Sequence, residues 1–205
     1  MERRPVVYRI IQWAARFLCV VLWRFRSHGL GGVPRDGGLI VVANHQSFLD
    51  LALLGGTIPR NLIFLARGTL RASWVYRALT FPFDILDLRR GEGDVAAFRA
   101  MIDRLREGRA ILVFPEGTRT RTGALGELSP GFLLLAARSG ASVVAARITG
   151  AFRVWPRGRS LPRGGSIRVD LSRPLRLSGL SREQALDVVR KHLAGRRLTR
   201  RVAGV

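Results

Sequence analysis

Two short runs of this 205-residue chain bring together side chains capable of acid–base and anion chemistry. The first is Asn44-His45-Gln46-Ser47-Phe48-Leu49-Asp50, directly after the apolar run Leu39-Ile-Val-Val-Ala43. An Asp bonded to an imidazole fixes its tautomer and stabilises the imidazolium, leaving the other ring nitrogen as a general base. On a regular helix, positions five apart stand about 140° from each other. His45 and Asp50 therefore meet only if His45 lies in the turn and Asp50 in the first turn of the next helix. The plainer reading makes Ser47 a helix cap and His45 a turn residue. The second run is Phe114-Pro115-Glu116-Gly117-Thr118-Arg119, again directly after an apolar stretch. Gly117 lets the backbone approach a ligand, while Thr118 and Arg119 can donate to phosphate oxygens, the guanidinium fork bidentately. Glu116 can orient Arg119 or accept a bond from a ligand hydroxyl; the plainer alternative is a polar turn with an internal Glu–Arg pair.

A nucleophile to go with the base is missing. No Gly-x-Ser-x-Gly elbow surrounds Ser47, and three triad members within six residues have difficulty reaching a common geometry. The single cysteine, Cys19, lies in an apolar stretch far in sequence from any acid–base partner. A base without an enzyme nucleophile suits a reaction in which the substrate's own hydroxyl attacks.

These residues need a scaffold that holds two turns close together. Five short apolar runs read as strands buried on both faces: Leu39–Ala43, Leu62–Leu65, Phe83–Leu86, Ala110–Phe114 and Ser142–Ala146. Helical patterns fall between them, over Asp94–Glu107 with Asp94 as cap and over Pro130–Ser139 with Ser129 as cap. Ser181-Arg-Glu-Gln184 is a capping-box start for a last helix that stops before Gly195. The alternating run Ile167–Leu171 reads as an edge strand. Strands alternating with helices predict an α/β domain with a mainly parallel central sheet flanked by helices, with ligands at the strands' C-terminal ends. The domain spans residues 27–195, after an N-terminal segment 1–26 and before a basic tail 196–205.

In the N-terminal segment, residues 6–25 are apolar or aromatic apart from Arg9, Gln12, Arg16 and Arg24, the first three falling in one helical stripe. A mid-span Arg is costly and a membrane span needs about 20 apolar residues. Segment 1–26 thus predicts an amphipathic, membrane-associated helix lying in the interface, the alternative being a helix packed over the domain's own core. The formal net charge is +21, from 35 basic and 14 acidic residues, and Lys191 is the only Lys. Residues 147–205 hold 15 basic and three acidic side chains. Such a chain seeks anionic partners: nucleic acid, a membrane surface or a phosphorylated small molecule. Its 47% hydrophobic content excludes a disordered polycation. One cysteine excludes an internal disulfide framework and a Cys-rich metal site.

Taken together, Asn-His-x4-Asp and, about 65 residues later, Phe-Pro-Glu-Gly-Thr-Arg make the chain resemble the glycerolipid acyltransferases. The resemblance covers roughly residues 27–150 and is strongest to bacterial 1-acyl-glycerol-3-phosphate (lysophosphatidate) acyltransferases. It implies His45 as the base and Asp50 as its partner. Asn44, Glu116, Gly117, Thr118 and Arg119 are implied as substrate-binding residues, together with Arg90 (or its neighbour Arg89) after a short strand. The implied reaction moves an acyl group from acyl-CoA or acyl carrier protein to the free hydroxyl of a lysophospholipid, making phosphatidic acid from lysophosphatidate. Lyso-ornithine lipids and glycolipids are alternative acceptors within the family. No metal or other cofactor is implied, because the thioester already activates the acyl group. The implied location is the cytoplasmic face of a bacterial inner membrane, peripheral or monotopic, with membrane lipids as partners.

Three positions depart from the family pattern: Ala145 where a Pro is usual, the charged Arg147, and Ser129-Pro130 where a basic residue often precedes Gly131. A nucleic-acid-binding protein is the rival from another class, supported by charge alone. The chain shows no helix-turn-helix, zinc-finger or RNA-recognition pattern, and its aromatics sit in apolar runs. No nucleic-acid partner is therefore expected.

Overall fold

The computed structural model of the chain describes residues 16–67, 84–88 and 93–195. Its strands are β1 (Arg26–His28), β2 (Leu39–Ala43), β3 (Leu62–Arg67), β4 (Asp84–Leu88), β5 (Ala110–Val113), β6 (Ser142–Thr149) and β7 (Arg168–Leu171). They form one sheet in the order β1-β7-β6-β2-β5-β3-β4. Only the β6–β7 junction is antiparallel. The described helices are α1 (residues 16–23), α2 (Leu49–Thr57), α3 (Gly93–Arg106), α4 (Gly131–Ser139), α5 (Ala151–Val154) and α6 (Arg182–Ala194).

The central strands are apolar at every position because both faces are covered. All five residues of β2 are buried. Leu39, Val41 and Ala43 join a core with Leu53 and Leu54 of α2, while Ile40 and Val42 join the opposite core with Met101, Phe132 and Val189 of α3, α4 and α6. The predicted α/β domain with a mainly parallel sheet is thus observed. Fixed register matters for function. Leu39 stands opposite both Ala110 of β5 and Ser142 of β6, so the chain leaves all three strands at neighbouring points of one edge.

Some expectations change. The Ile167–Leu171 run was expected at an edge, but β7 is internal, flanked by β6 and β1. The three-residue β1 is too short to leave a period in the sequence. Ser129 does not cap α4: the N-cap is Pro130 without a side-chain bond. The Ser129 amide instead donates to the Pro115 carbonyl at 2.9 Å, holding the second motif to the start of α4. The Ser181–Gln184 capping box does form, and α6 ends at Gly195 with φ 75°. Arg147, the unexpected charge, lies under this end: a Cβ on Gly195 would meet its guanidinium within 1.9 Å. A cation there complements the negative end of the helix dipole.

Helix α1 divides its surface. Cys19 and Trp23 are buried in the core, and Trp23 Nε1 donates to the Arg163 carbonyl at 2.9 Å. Phe17, Leu18, Val20, Val21 and Leu22 are all exposed, Phe17 by 71%. Arg9 and Gln12, and the basic tail 196–205, lie outside the described residues. The proposed boundary after residue 26 falls inside β1. No helix among the described residues is long and apolar enough to cross a membrane. Burial raises the Cys19 thiol to about 11, so it is no reactive nucleophile.

Burial also holds the His192 imidazole below its ordinary value, which favours the neutral ring over the helix-end cation expected from its position. The unfolded chain then binds the extra proton more readily than the folded one, so His192 costs stability as pH falls below about 6.5. In His192→Gln, unfolding free energy measured by urea at pH 5 and pH 7 should differ less than in the parent.

Candidate active site

Residues 44–50 form the turn between β2 and α2, and Asp50 lies in the first turn of that helix, the arrangement in which His45 and Asp50 can meet. His45 Nδ1 stands 2.8 Å from Asp50 Oδ2. The same oxygen accepts the backbone amides of Gln46 at 2.6 Å and Ser47 at 2.8 Å. Asp50 is fully buried. Two amide donors converging on Oδ2 use it as an acceptor. Nδ1 must then be the donor, and the lone pair of the imidazole sits on Nε2. The ring also stacks on Phe114, with centroids 3.9 Å apart and planes 14° from parallel.

The second motif grips His45 by its backbone. Glu116 Oε1 accepts the His45 amide at 2.8 Å, and the Thr120 amide donates to the His45 carbonyl at 2.8 Å. The other Glu116 oxygen accepts the Gly126 amide at 2.8 Å. Glu116 therefore spends its carboxylate on two loops, and no Glu116–Arg119 ion pair forms. Gly117 takes φ 67°, a left-handed turn that a residue with a Cβ enters only with strain. Its neighbour Thr118 is exposed. Arg119 Cζ lies 3.5 Å above the centre of the Phe48 ring, a cation–π contact. Burial first, then the positive charge of Arg157, push the Arg119 guanidinium below its ordinary range, while Asp50 pulls it back up. Arg119 Nη1 and Asp50 Oδ1 are buried with no hydrogen-bond partner among the described residues.

The family model for acyltransferases matches residues 24–149. The chain belongs to the acyltransferase family. It is 30% identical over 212 residues to a lyso-ornithine lipid O-acyltransferase of Pseudomonas aeruginosa, covering 93% of this chain and 81% of that protein. It is 26% identical to a chloroplastic 1-acyl-sn-glycerol-3-phosphate acyltransferase of Arabidopsis thaliana, covering 84% of this chain but spanning only 49% of that protein. Among solved structures, PlsC, the 1-acyl-sn-glycerophosphate acyltransferase of Thermotoga maritima, matches with TM-score 0.75 and 28% identity, over 92% of this chain and 79% of that one.

Within this acyltransferase, Asn44 lies under the site. It is buried, its amide nitrogen donates to the Ile148 carbonyl at 2.9 Å, and its oxygen accepts the Ile148 amide at 2.7 Å. Both ends are bonded to the backbone of β6. Ser47 is equally committed, donating to the Trp155 carbonyl at 2.7 Å and accepting the Leu49 amide at 3.2 Å. Arg89 and Arg90 lie outside the described residues. Two contributors had no role assigned from sequence. Gln46 links the turn to Gly123 and Phe152, and Phe114 supplies the face on which His45 stacks. An aromatic residue ending the strand before Pro-Glu-Gly was the signal available for the latter.

Removing the Glu116 carboxylate should strand the His45 and Gly126 amides. Glu116→Ala should lose at least about 1.5 kcal/mol, lowering Tm by about 3–6 °C for a domain of this size. Calorimetry checks this, and Glu116→Gln should rescue it only in part, because the Gln amide nitrogen would face a second donor.

Proposed function

We propose that this acyltransferase moves a fatty acyl group from an acyl thioester to the free hydroxyl of a lysolipid, with 1-acyl-glycerol-3-phosphate as acceptor and phosphatidic acid as product. The observation that carries the reading is the His45–Asp50 pair beside Arg119; of the described serine and cysteine nearest in sequence, Ser47 is bonded to the Trp155 carbonyl and Cys19 is buried. His45 Nε2 takes the proton of the acceptor hydroxyl while that oxygen bonds to the thioester carbonyl carbon. Collapse of the tetrahedral intermediate breaks the C–S bond, and the imidazolium returns its proton to the departing thiolate. Asp50 stabilises the imidazolium formed in between. Arg119, with one buried donor unused, holds the anionic headgroup, and the Gly117–Thr118 backbone approaches it. Arg90 is proposed as a further headgroup contact. Acyl-CoA and acyl carrier protein both meet the donor's chemistry, and the reaction needs no metal or other cofactor.

We also propose that the enzyme works at the cytoplasmic face of a bacterial inner membrane, held there by α1. Five exposed apolar side chains on one short helix are costly in water and favourable in the acyl region of a leaflet. The positive charge of the chain attracts the anionic headgroups, at about 1 kcal/mol per well-placed basic residue. A second reading of the acceptor, a lyso-ornithine lipid, is favoured by the 30% identity that extends over 93% of the chain.

An acceptor screen with both thioester donors tests the proposal. Wild-type protein should acylate lysophosphatidate, and His45→Ala should lose transfer by about 10²–10⁴-fold, the usual worth of a positioned general base. Equal activity in the variant would overturn the mechanism, and transfer only to a lyso-ornithine lipid would select the second reading. Phe17→Ser/Leu18→Ser/Val21→Ser should sediment less with anionic vesicles while keeping its activity in detergent micelles. Undiminished sedimentation would remove α1 as the membrane contact.

A further inference from the structure

A cavity of about 270 Å³ opens beside the base, lined by Thr120, Arg121, Phe152, Pro156 and Arg157. It is joined directly to the catalytic turn. Thr120 donates its amide to the His45 carbonyl, and the Phe152 amide donates to Gln46 Oε1 at 3.3 Å. The volume is slightly below that of pockets that enclose a whole drug-sized ligand, about 300 Å³ and upward, and suits a headgroup. One wall is the segment that follows Arg119. The other comes from the loop after α5, outside the stretch 24–149 that the family model matches.

The charges around this cavity are unbalanced. Arg121 and Arg157 line it from two loops, Arg119 lies close enough to feel the Arg157 charge, and none of the three pairs with a carboxylate within 4.0 Å among the described residues. The two nearest acids are already spent, Asp50 on three donors and Glu116 on two backbone amides. Arg157 is close enough to Arg119 to disfavour its charge. Like charges gathered around a concavity without a counter-charge repel one another, and a bound anion turns that cost into attraction. Arg119 Nη1 is itself buried without a hydrogen-bond partner among the described residues.

We propose that Arg157 closes an anion subsite with Arg119 and Arg121 and is a specificity-determining residue that favours a doubly charged phosphate headgroup over a zwitterionic one. The inference rests on the acyl-transfer reading above for what enters the cavity. A phosphate monoester offers three oxygens and close to two negative charges, enough for guanidinium groups on both walls. A zwitterionic headgroup brings an ammonium into a site where no carboxylate is free to receive it. Arg157 is thereby a binding residue for the acceptor, remote from the bond that breaks, so its effect belongs in KM.

The test compares Arg157→Gln and Arg157→Lys with the parent in detergent micelles, which removes attraction to a charged bilayer. In Arg157→Gln, KM for lysophosphatidate should rise about tenfold, the weak end of losing one hydrogen bond to a charged group. Its kcat should stay within about twofold, and Arg157→Lys should recover part of the KM. Arg159→Gln, an equal loss of charge in the same loop but outside the cavity lining, should leave KM at the parent value. An unchanged KM in Arg157→Gln, or an equal rise in Arg159→Gln, overturns the subsite. Direct calorimetric titration of the whole chain with sn-glycerol 3-phosphate separates this from the reaction itself. Binding that Arg157→Gln abolishes supports the subsite even if the parent acylates neither lysolipid, whereas no binding, or equal binding by both proteins, overturns it.

Discussion

A single carboxylate oxygen organises the site. Asp50 Oδ2 receives the Gln46 amide, the Ser47 amide and His45 Nδ1 in a fully buried position. A buried charge is tolerable only when donors replace the water it has lost, and here the turn wraps around it to supply them. The N-terminus of α2 adds the positive end of a helix dipole. The same convergence fixes the imidazole through Nδ1 and fixes the turn. Orientation of the His45 ring and folding of the loop are one event, because losing Asp50 would leave three donors without an acceptor. Glu116 repeats the device one loop away, bridging the His45 and Gly126 amides.

This use of carboxylates shapes the field of the cleft. Asp50 and Glu116 are bonded to backbone amides and, for Asp50, the His45 ring, so among the described residues the cleft presents guanidinium groups without a carboxylate in ion-pair contact. The net charge of +21 acts on another scale. Exposed arginines spread over the surface attract an anionic leaflet only within about 10 Å at ordinary ionic strength, whereas those at the cavity act through direct hydrogen bonds. The two populations should respond differently to salt, the diffuse one being screened first.

Legibility in the sequence followed burial and locality. The central strands could be read because burial on both faces leaves unbroken apolar runs such as Leu39–Ala43. The capping box at Ser181–Gln184 could be read because it is closed by neighbours three residues apart. The edge strand Arg26–His28 and the interior place of β7 could not, since strand order depends on partners far away in the chain. Residue types within the motifs were visible, but their commitments were not. Glu116 pairs with amides at positions 45 and 126, and Asn44 with the backbone of Ile148. A sequence shows that such groups can bond; the fold decides to what. Helix α1 follows its core-packing reading at Cys19 and Trp23, while Phe17 and Val21 face outward.

Parallel register explains how one scaffold can keep its reaction and alter its acceptor. β5 and β6 flank β2, so the loops leaving these three strands meet at one edge of the sheet. The loop after β2 carries the base and the loop after β5 carries Arg119, both inside the stretch matched by the family model. The third segment, α5 and the loop after it, carries Phe152 and Arg157 and lies beyond it. It is tied to the His45 turn by two backbone groups, the Phe152 amide on Gln46 and the Trp155 carbonyl on Ser47, and by the Trp155 ring against Phe48. Backbone bonds tolerate side-chain replacement. The cavity wall can therefore change residue by residue while Asp50 keeps its bonds to the turn that holds His45.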